Sequence, residues 1–86
     1  LAGNQITDAG AIALAQAICS NTTLEYLNLE SNHVAERGGR SFVEAITGNT
    51  TLSYLNLTYN AIPASLQQEI REGWASGRES TLGLHL

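Results

Sequence analysis

The side chains that could carry out acid–base, nucleophilic or metal chemistry are few and scattered along this sequence. His33 and His85 have no cysteine or carboxylate cluster around them at the spacing of a metal site. Cys19 is the only cysteine of the chain. No glycine-rich segment has the pattern of a phosphate-binding loop. The sequence therefore predicts a protein that is not an enzyme and that has no catalytic residue, metal or cofactor.

The remaining candidate groups have structural explanations. Asp8 and Glu36 stand at equivalent places of successive repeats, so we expect them to be neighbours in space. They could be an acid pair for catalysis, but we favour a place in the first turn of a helix, where the helix dipole stabilises a carboxylate. Cys19, whose repeat counterparts are Thr47 and Ala75, is predicted to be a small filler near a helix end rather than a reactive thiol.

Length and charge exclude several classes of protein. The 86 residues allow one domain. The formal net charge is −4, and the sequence lacks the basic stripe that is typical of nucleic-acid-binding proteins. No segment has the length of a membrane span, and the N-terminus lacks the zones of a signal peptide. A lone cysteine favours a reducing compartment, so we expect a cytoplasmic protein. The absence of methionine indicates that the chain begins inside a longer polypeptide, with further repeats upstream.

An internal repeat organises the whole chain. The segment 21–29, NTTLEYLNL, matches 49–57, NTTLSYLNL, at eight of nine positions and an offset of 28. The same offset aligns apolar and asparagine positions elsewhere, namely Leu1, Leu29 and Leu57; Asn4, Asn32 and Asn60; Ile6, Val34 and Ile62. A period of this length is the signature of a solenoid. We expect one domain, 1–86, with repeats at approximately 1–23, 24–51 and 52–80 and a partial strand at 81–86.

Each repeat has two halves with different hydrophobic periods. Leu27 and Leu29 alternate with polar residues, which predicts a short strand with one buried face. In the segment 8–19, the residues Leu14, Ala17 and Ile18 form the apolar stripe of a helix. One strand and one helix in constant order force the strands to be parallel neighbours. The predicted fold is an α/β solenoid with a curved sheet inside an arc and helices outside.

Turn residues support this interpretation. Asn21 and Asn49 follow the helices, and we expect them to adopt the left-handed conformation of a helix C-cap, as Gly77 does in the third repeat. The asparagines that follow each strand are expected to point inward and bond loop backbone groups from one coil to the next. Gly10 and Gly38 share a helix position that suits close approach of helix to sheet.

Charged residues on the second helix form a separate pattern. Glu36, Arg40 and Glu44 are spaced one helical turn apart, which predicts a solvated row of ion pairs on the outer surface.

The motif Leu24-x-x-Leu27-x-Leu29-x-x-Asn32-x-Val34 resembles the ribonuclease-inhibitor class of leucine-rich repeats. The resemblance implies a horseshoe and a protein partner, without naming the partner. Proteins of this class include inhibitors, NOD-like receptors, Ran GTPase activators and tropomodulins. A binding module or scaffold is the function we expect, and a segment of a Ran-directed GTPase activator or of a NOD-like receptor stays open.

The third repeat departs from this pattern. Leu66 replaces the helix glycine, Trp74 replaces an isoleucine, and one extra residue precedes the last strand. Leu84 then aligns with Leu27, while Thr81 stands where the first leucine is expected. We interpret the change as the approach to the C-terminal end of the solenoid; ordinary drift of an internal repeat is the alternative.

The residues on the concave side of the predicted sheet are the candidate partner-binding site. Tyr26 and Tyr54 should stand side by side, as should Asn28 and Asn56, because adjacent strands lie about 4.8 Å apart. Exposed tyrosines flanked by amides are typical of protein-binding surfaces, although like residues can also stack simply to steady a sheet. The predicted site consists of Tyr26, Asn28, Glu30, Tyr54, Asn56, Thr58, Tyr59 and His85.

Overall fold

Helices and strands alternate along the whole chain. The computed structural model describes residues 3–21, 23–78 and 82–86. The elements in chain order are α1 (Asp8–Ser20), β1 (Tyr26–Asn28), α2 (Glu36–Gly48), β2 (Tyr54–Asn56), α3 (Ala64–Ser76) and β3 (Leu84–His85). We call each helix with the strand that follows it a unit. Leu1 and Thr81, to which the repeat alignment assigns strand positions, lie outside the described residues.

The strands form one parallel sheet in the order β1-β2-β3, with the helices packed on one side. Leu27 pairs with Leu55, and Leu55 pairs with Leu84. These pairs confirm the predicted offset between the first two strands and the extra residue before the third. The constant helix–strand order produces this topology, because each helix leads the chain back to the end of the sheet from which the previous strand started. The next strand then runs parallel beside it.

The core lies between the sheet and the helices. Leu27, Leu29, Leu55 and Leu57 fill it from the sheet side, and the largest buried side chains of the helices are Phe42, Ile46, Ile70 and Trp74. These residues leave the polar members of each strand on the opposite face of the sheet, as the alternation of the sequence predicts.

The first helix corrects one prediction about the core. Ala11, Ala15 and Ile18 are its buried residues, whereas Leu14 is half-buried and Ala17 is exposed. The counterpart of Ala17 in α2, Ala45, is fully buried because α1 packs on that side of α2. Within the described residues, no helix lies on the corresponding side of α1, and this absence leaves Ala17 in solvent.

Gly38 permits the close approach of two helices, rather than the approach of a helix to the sheet. A Cβ atom at Gly38 would lie 2.8 Å from Asp8 Oδ1 and 2.9 Å from the Cβ of Ala11, both on α1. Those distances are shorter than any ordinary carbon contact, so a side chain here would push α1 away from α2. The predicted close approach therefore exists, but its partner is the preceding helix.

Asn21 and Asn49 do not adopt the predicted left-handed conformation. Their φ angles are −90° and −113°, and that of Gly77 is −117°. The backbone N–H groups of these residues cap the helices by donating to the carbonyl oxygens of Ile18, Ala45 and Trp74, and the asparagine side chains close the turn that follows. Asn49 Oδ1 accepts hydrogen bonds from the N–H groups of Thr51 and Leu52, and Asn21 makes the same pair of bonds with the N–H groups of Thr23 and Leu24. An extended backbone suits this arrangement because the side-chain oxygen must reach the next two amides.

Asn49 also connects its unit to the preceding one. Its Nδ2 donates to the carbonyl oxygens of Ile18 and Asn21 at 2.8 and 2.9 Å. Asn49 is 5% exposed, so its side-chain amide is buried and these bonds satisfy its two N–H groups.

Arg78 makes the equivalent connection in the third unit, because Gly77, at the position of Asn49, has no side chain. The guanidinium donates to the carbonyl oxygens of Ile46 and Asn49, which are the repeat counterparts of the two groups that Asn49 contacts. A third bond, 2.7 Å long, joins Nε to the carbonyl oxygen of Leu52. The guanidinium carbon lies 3.9 Å from the centre of the Trp74 ring. Burial lowers the pKa of Arg78 below its usual value.

The asparagines that follow the strands form the predicted ladder. Asn32 Oδ1 accepts from the N–H of Ile6, and Asn60 Oδ1 accepts from the N–H of Val34. Asn60 Nδ2 also donates to the carbonyl oxygen of Leu29, in the preceding unit, at 2.9 Å. Each amide thus bonds both its own turn and its neighbour. Asn4, their counterpart nearest the N-terminus, is exposed.

We expect Asn49→Ala to lower the free energy of unfolding by about 2–3 kcal/mol, because it removes four hydrogen bonds, two of which join its unit to the preceding one. Asn21→Ala is the matched control. It removes only the local turn bonds of an exposed residue, and a loss of about 1 kcal/mol or less is expected. Urea unfolding of both variants measures the difference. Equal losses would show that the bonds between units contribute nothing beyond the turn itself.

Candidate functional site

The sheet face opposite the helices carries two rows of aligned side chains. Tyr26 pairs with Tyr54 in the strand register, and Asn28 pairs with Asn56, as predicted. Asn56 in turn pairs with His85 on the third strand. We call these five residues the tyrosine face.

The two tyrosines form a stacked pair. Their ring centres are 4.2 Å apart and their planes are inclined by 5°. The spacing of adjacent parallel strands, about 4.8 Å, imposes this contact on any two aromatic side chains in register. Tyr26 keeps 58% of its surface exposed, whereas Tyr54 is half-buried beneath its neighbours.

His85 extends the aromatic row, which the sequence comparison did not anticipate. Its ring lies 5.1 Å from that of Tyr54, tilted by 44°. Gly83, directly before β3, lies next to Tyr54, and a Cβ there would collide with the carbonyl oxygen of Ser53. Because glycine offers no ring, the row continues diagonally to His85 rather than straight across.

The asparagines of the tyrosine face are engaged by their own strands. Asn28 Oδ1 accepts from the N–H of Glu30, and Asn56 Oδ1 accepts from the N–H of Thr58, both at 2.9 Å. Asn56 is only 9% exposed and also donates from Nδ2 to the hydroxyl of Tyr54. These contacts hold the end of each strand in place, so the exposed part of the face is mainly aromatic.

Glu30, Thr58 and Tyr59 adjoin the tyrosine face where the strands end. The hydroxyl of Thr58 lies 2.7 Å from Asn56 Oδ1 and 3.3 Å from Glu30 Oε1. Tyr59 is 79% exposed, one of the most exposed large side chains of the described residues. All eight predicted site residues therefore lie on this sheet face or at its edge, and partner binding by them stays a prediction.

The groups with possible chemistry are not brought together. Among residues 3–21, 23–78 and 82–86, no cluster of three or more metal-ligating side chains occurs. Asp8 begins α1, and its Oδ1 accepts from the N–H of Ala35, next to Glu36, at 2.7 Å. Its carboxylate therefore links two units in addition to lying in a first helical turn.

Cys19 is exposed, so its prediction as a filler in the packing is wrong. Its counterparts Thr47 and Ala75 are exposed as well, which identifies a solvent position of the helix where residue size is unconstrained.

The outer helix surface is held only weakly by charge. Arg40 and Glu36 form an ion pair at 3.3 Å with side chains 61% and 62% exposed, whereas Glu44 joins no ion pair among the described residues. The predicted row of ion pairs is thus a single pair. Exposed pairs of this kind contribute about 0.3–0.5 kcal/mol. No helix in the described part of the chain has the length and apolarity to cross a bilayer.

Comparison with known proteins decides the family. The family model described as Leucine Rich repeat matches residues 1–15, 20–43 and 48–62, more than half of the chain. The chain belongs to the leucine-rich repeat family. Leucine-rich repeats generally mediate protein–protein interaction and are generally not catalytic. No curated protein sequence matches this leucine-rich repeat chain.

We expect Tyr26→Ala to lower the free energy of unfolding by no more than about 1.5 kcal/mol, because the ring is largely exposed and loses mainly a stacking contact. Leu55→Ala, on the buried side of the neighbouring strand, should cost about 2–5 kcal/mol. Thermal or urea unfolding of the two variants makes the comparison. A loss at Tyr26 as large as that at Leu55 would mean that the tyrosine stack serves chiefly to stabilise the sheet.

Proposed function

We propose that this leucine-rich repeat chain is a non-catalytic interaction module or scaffold that binds a protein partner through the concave face of its sheet. The observation that carries the proposal is the exposed aromatic surface built by Tyr26, Tyr54 and His85, with Tyr59 beside it. Aromatic side chains of this kind supply much of the binding energy of protein interfaces.

The energetics of the tyrosine face favour binding. Tyr26 and Tyr54 are held in one arrangement by stacking, so a partner meets rings whose conformational freedom is already reduced. Each ring also presents a hydroxyl group that can exchange water for a hydrogen bond with the partner. Asn28, Glu30 and Thr58 supply a polar rim of the type that surrounds interface centres.

We further propose a ribonuclease-inhibitor-like arrangement, a horseshoe arc of about three repeats. The equal spacing of the three helices along the sequence and their length of 13 residues support it. The proposed repeat boundaries are those of the sequence comparison.

The proposed setting is the cytoplasm, supported by the single cysteine. A net charge of −4 favours a protein partner over nucleic acid or an anionic membrane surface.

Replacement of Tyr26 and Tyr54 by alanine together should weaken binding of a protein partner by about 2 kcal/mol or more, because both central rings are removed. The partner is first identified by photo-crosslinking from a benzoylphenylalanine placed at Asn28, in the row next to the tyrosines. Calorimetric titration of the purified pair then gives the affinity, and circular dichroism confirms that the double variant is folded.

Arg40→Glu provides the control, because it reverses a charge on the exposed outer surface of α2. We expect its affinity to equal that of the parent chain. If the tyrosine double variant binds normally while Arg40→Glu abolishes binding, the helices form the interface and the proposal is wrong.

Asn21, Asn49 and Asn56 each begin an Asn-x-Thr sequence, the acceptor pattern of N-glycosylation, and we expect all three to be unused. Asn49 and Asn56 are 5% and 9% exposed, with their amides in hydrogen bonds, and a cytoplasmic protein does not meet the glycosylation machinery. Asn21 is exposed, so whether it carries a glycan depends only on whether the protein meets the glycosylation machinery. Intact-mass analysis of protein from its native source measures this. A glycan on Asn21 would contradict the cytoplasmic setting.

A further inference from the structure

A left-handed backbone position recurs at intervals of one repeat, and in one repeat a bulky residue occupies it. Gly3, Ser31 and Tyr59 stand one repeat apart and have φ angles of 71°, 58° and 57°. Glycine adopts this conformation freely, whereas a residue with a bulky side chain is strained in it. Tyr59 nevertheless occupies this position with 79% of its surface exposed. Its ring therefore makes few packing contacts that could offset the backbone strain. Strain at a residue that packs so little points to a role outside the fold.

A carboxylate without a cation lies in the adjacent turn. Glu30 is half-buried, and its Oε1 lies 3.3 Å from the hydroxyl of Thr58, the residue before Tyr59. That hydroxyl lies closer to Asn56 Oδ1, at 2.7 Å, and its single proton is better donated there. Among the described residues, the ion pair of the structure is formed within α2 and does not include Glu30. The negative charge of Glu30 is therefore open to a positive group from outside.

We propose that Glu30, Thr58 and Tyr59, which we call the Tyr59 corner, receive an arginine side chain of the protein partner. The inference rests on the proposed function and specifies the chemistry of one part of the same surface. A guanidinium group stacks on a tyrosine ring and donates two parallel hydrogen bonds to a carboxylate. The arginine would supply both interactions, which neither an acidic nor an apolar side chain can do.

Arginine suits the corner better than lysine does. Its planar group is less strongly hydrated than an ammonium and can use its face for the ring while its edge meets the carboxylate. Lysine offers a point charge to Glu30 but no plane to stack. The net charge of the chain, −4, attracts any cation to the surface, so selectivity between arginine and lysine separates this site from general attraction.

The test uses a synthetic glycine–serine peptide with two arginines and monitors the isotope-labelled chain by NMR. We expect saturable shifts of the Tyr59 ring and the Glu30 side chain, and at least threefold weaker binding of the same peptide with lysine. Glu30→Gln should weaken binding of the arginine peptide at least fivefold. The matched control, Glu44→Gln, removes one negative charge from an exposed position of α2, and we expect it to change the affinity less than twofold.

Tyr59→Gly separates binding from folding. It removes the ring and relieves the left-handed strain, so the variant should melt no lower than the parent while its affinity for the arginine peptide falls at least threefold. Equal effects of Glu30→Gln and Glu44→Gln would reduce the binding to general charge and overturn the proposal. Normal binding by a stable Tyr59→Gly variant would overturn it as well.

The failure of this inference is distinguishable from the failure of the proposed function. If the arginine peptide leaves Glu30 and Tyr59 unshifted, while the Tyr26 and Tyr54 double variant still loses its protein partner, the Tyr59 corner is wrong and the tyrosine face stands. If the double variant keeps its partner, the proposed function itself fails.

Discussion

The hydrogen bonds that asparagine side-chain amides make from one unit to the next hold this structure in register. Asn49 and Asn60 each donate to carbonyl oxygens of the preceding unit, and Asn32 accepts from the N–H of Ile6. Short strands contribute few ladder bonds of their own, since β1 and β2 have three residues each. The side-chain amides therefore add donors for the turn carbonyl oxygens beyond those that the backbone supplies, and each such bond contributes about 0.5–1.5 kcal/mol. Arg78 shows that the requirement is for donors rather than for asparagine itself, because a guanidinium serves the same carbonyls in the third unit.

The candidate surface is a consequence of that register. When successive units repeat at a fixed offset, equivalent residues of neighbouring strands become neighbours in space, and two tyrosines in equivalent places must stack. The buried leucines on the other side of the same strands fix which side chains face out. The family supports protein binding as the general role. The tyrosine face and the Tyr59 corner are our proposals for where that binding occurs.

Much of the fold could be predicted because a repeat supplies its own comparison. Two nearly identical segments were enough to place Tyr26 beside Tyr54 and Asn28 beside Asn56. The backbone at Asn21 and Asn49 was predicted wrongly, since an asparagine after a helix suits either a left-handed backbone or a turn closed by its side-chain oxygen, and the same sequence allows both. The exposure of Ala17 depended on which helices surround α1, which no local pattern contains.

Other features could not be found by comparing equivalent positions of the repeats. The role of Arg78 was missed because the residue stands one place after the expected asparagine position, so alignment by offset compared the asparagines with Gly77. The left-handed position of Tyr59 did have a signal, the glycine at its counterpart, Gly3. Partner binding by the eight site residues depends on a second molecule. The sequence could predict only that exposed aromatic and polar side chains suit a protein interface.

The central claim is that the tyrosines of this leucine-rich repeat chain meet the partner. The chain has three tyrosines, Tyr26, Tyr54 and Tyr59, and all three lie on or beside the tyrosine face. Fluorine NMR of a chain labelled with fluorotyrosine therefore observes this surface and nothing else. Addition of the crosslinked partner should shift the resonances of Tyr26, Tyr54 and Tyr59 and protect them from a soluble paramagnetic agent. Unchanged and unprotected tyrosine resonances in a complex confirmed by calorimetry would show that the partner binds elsewhere.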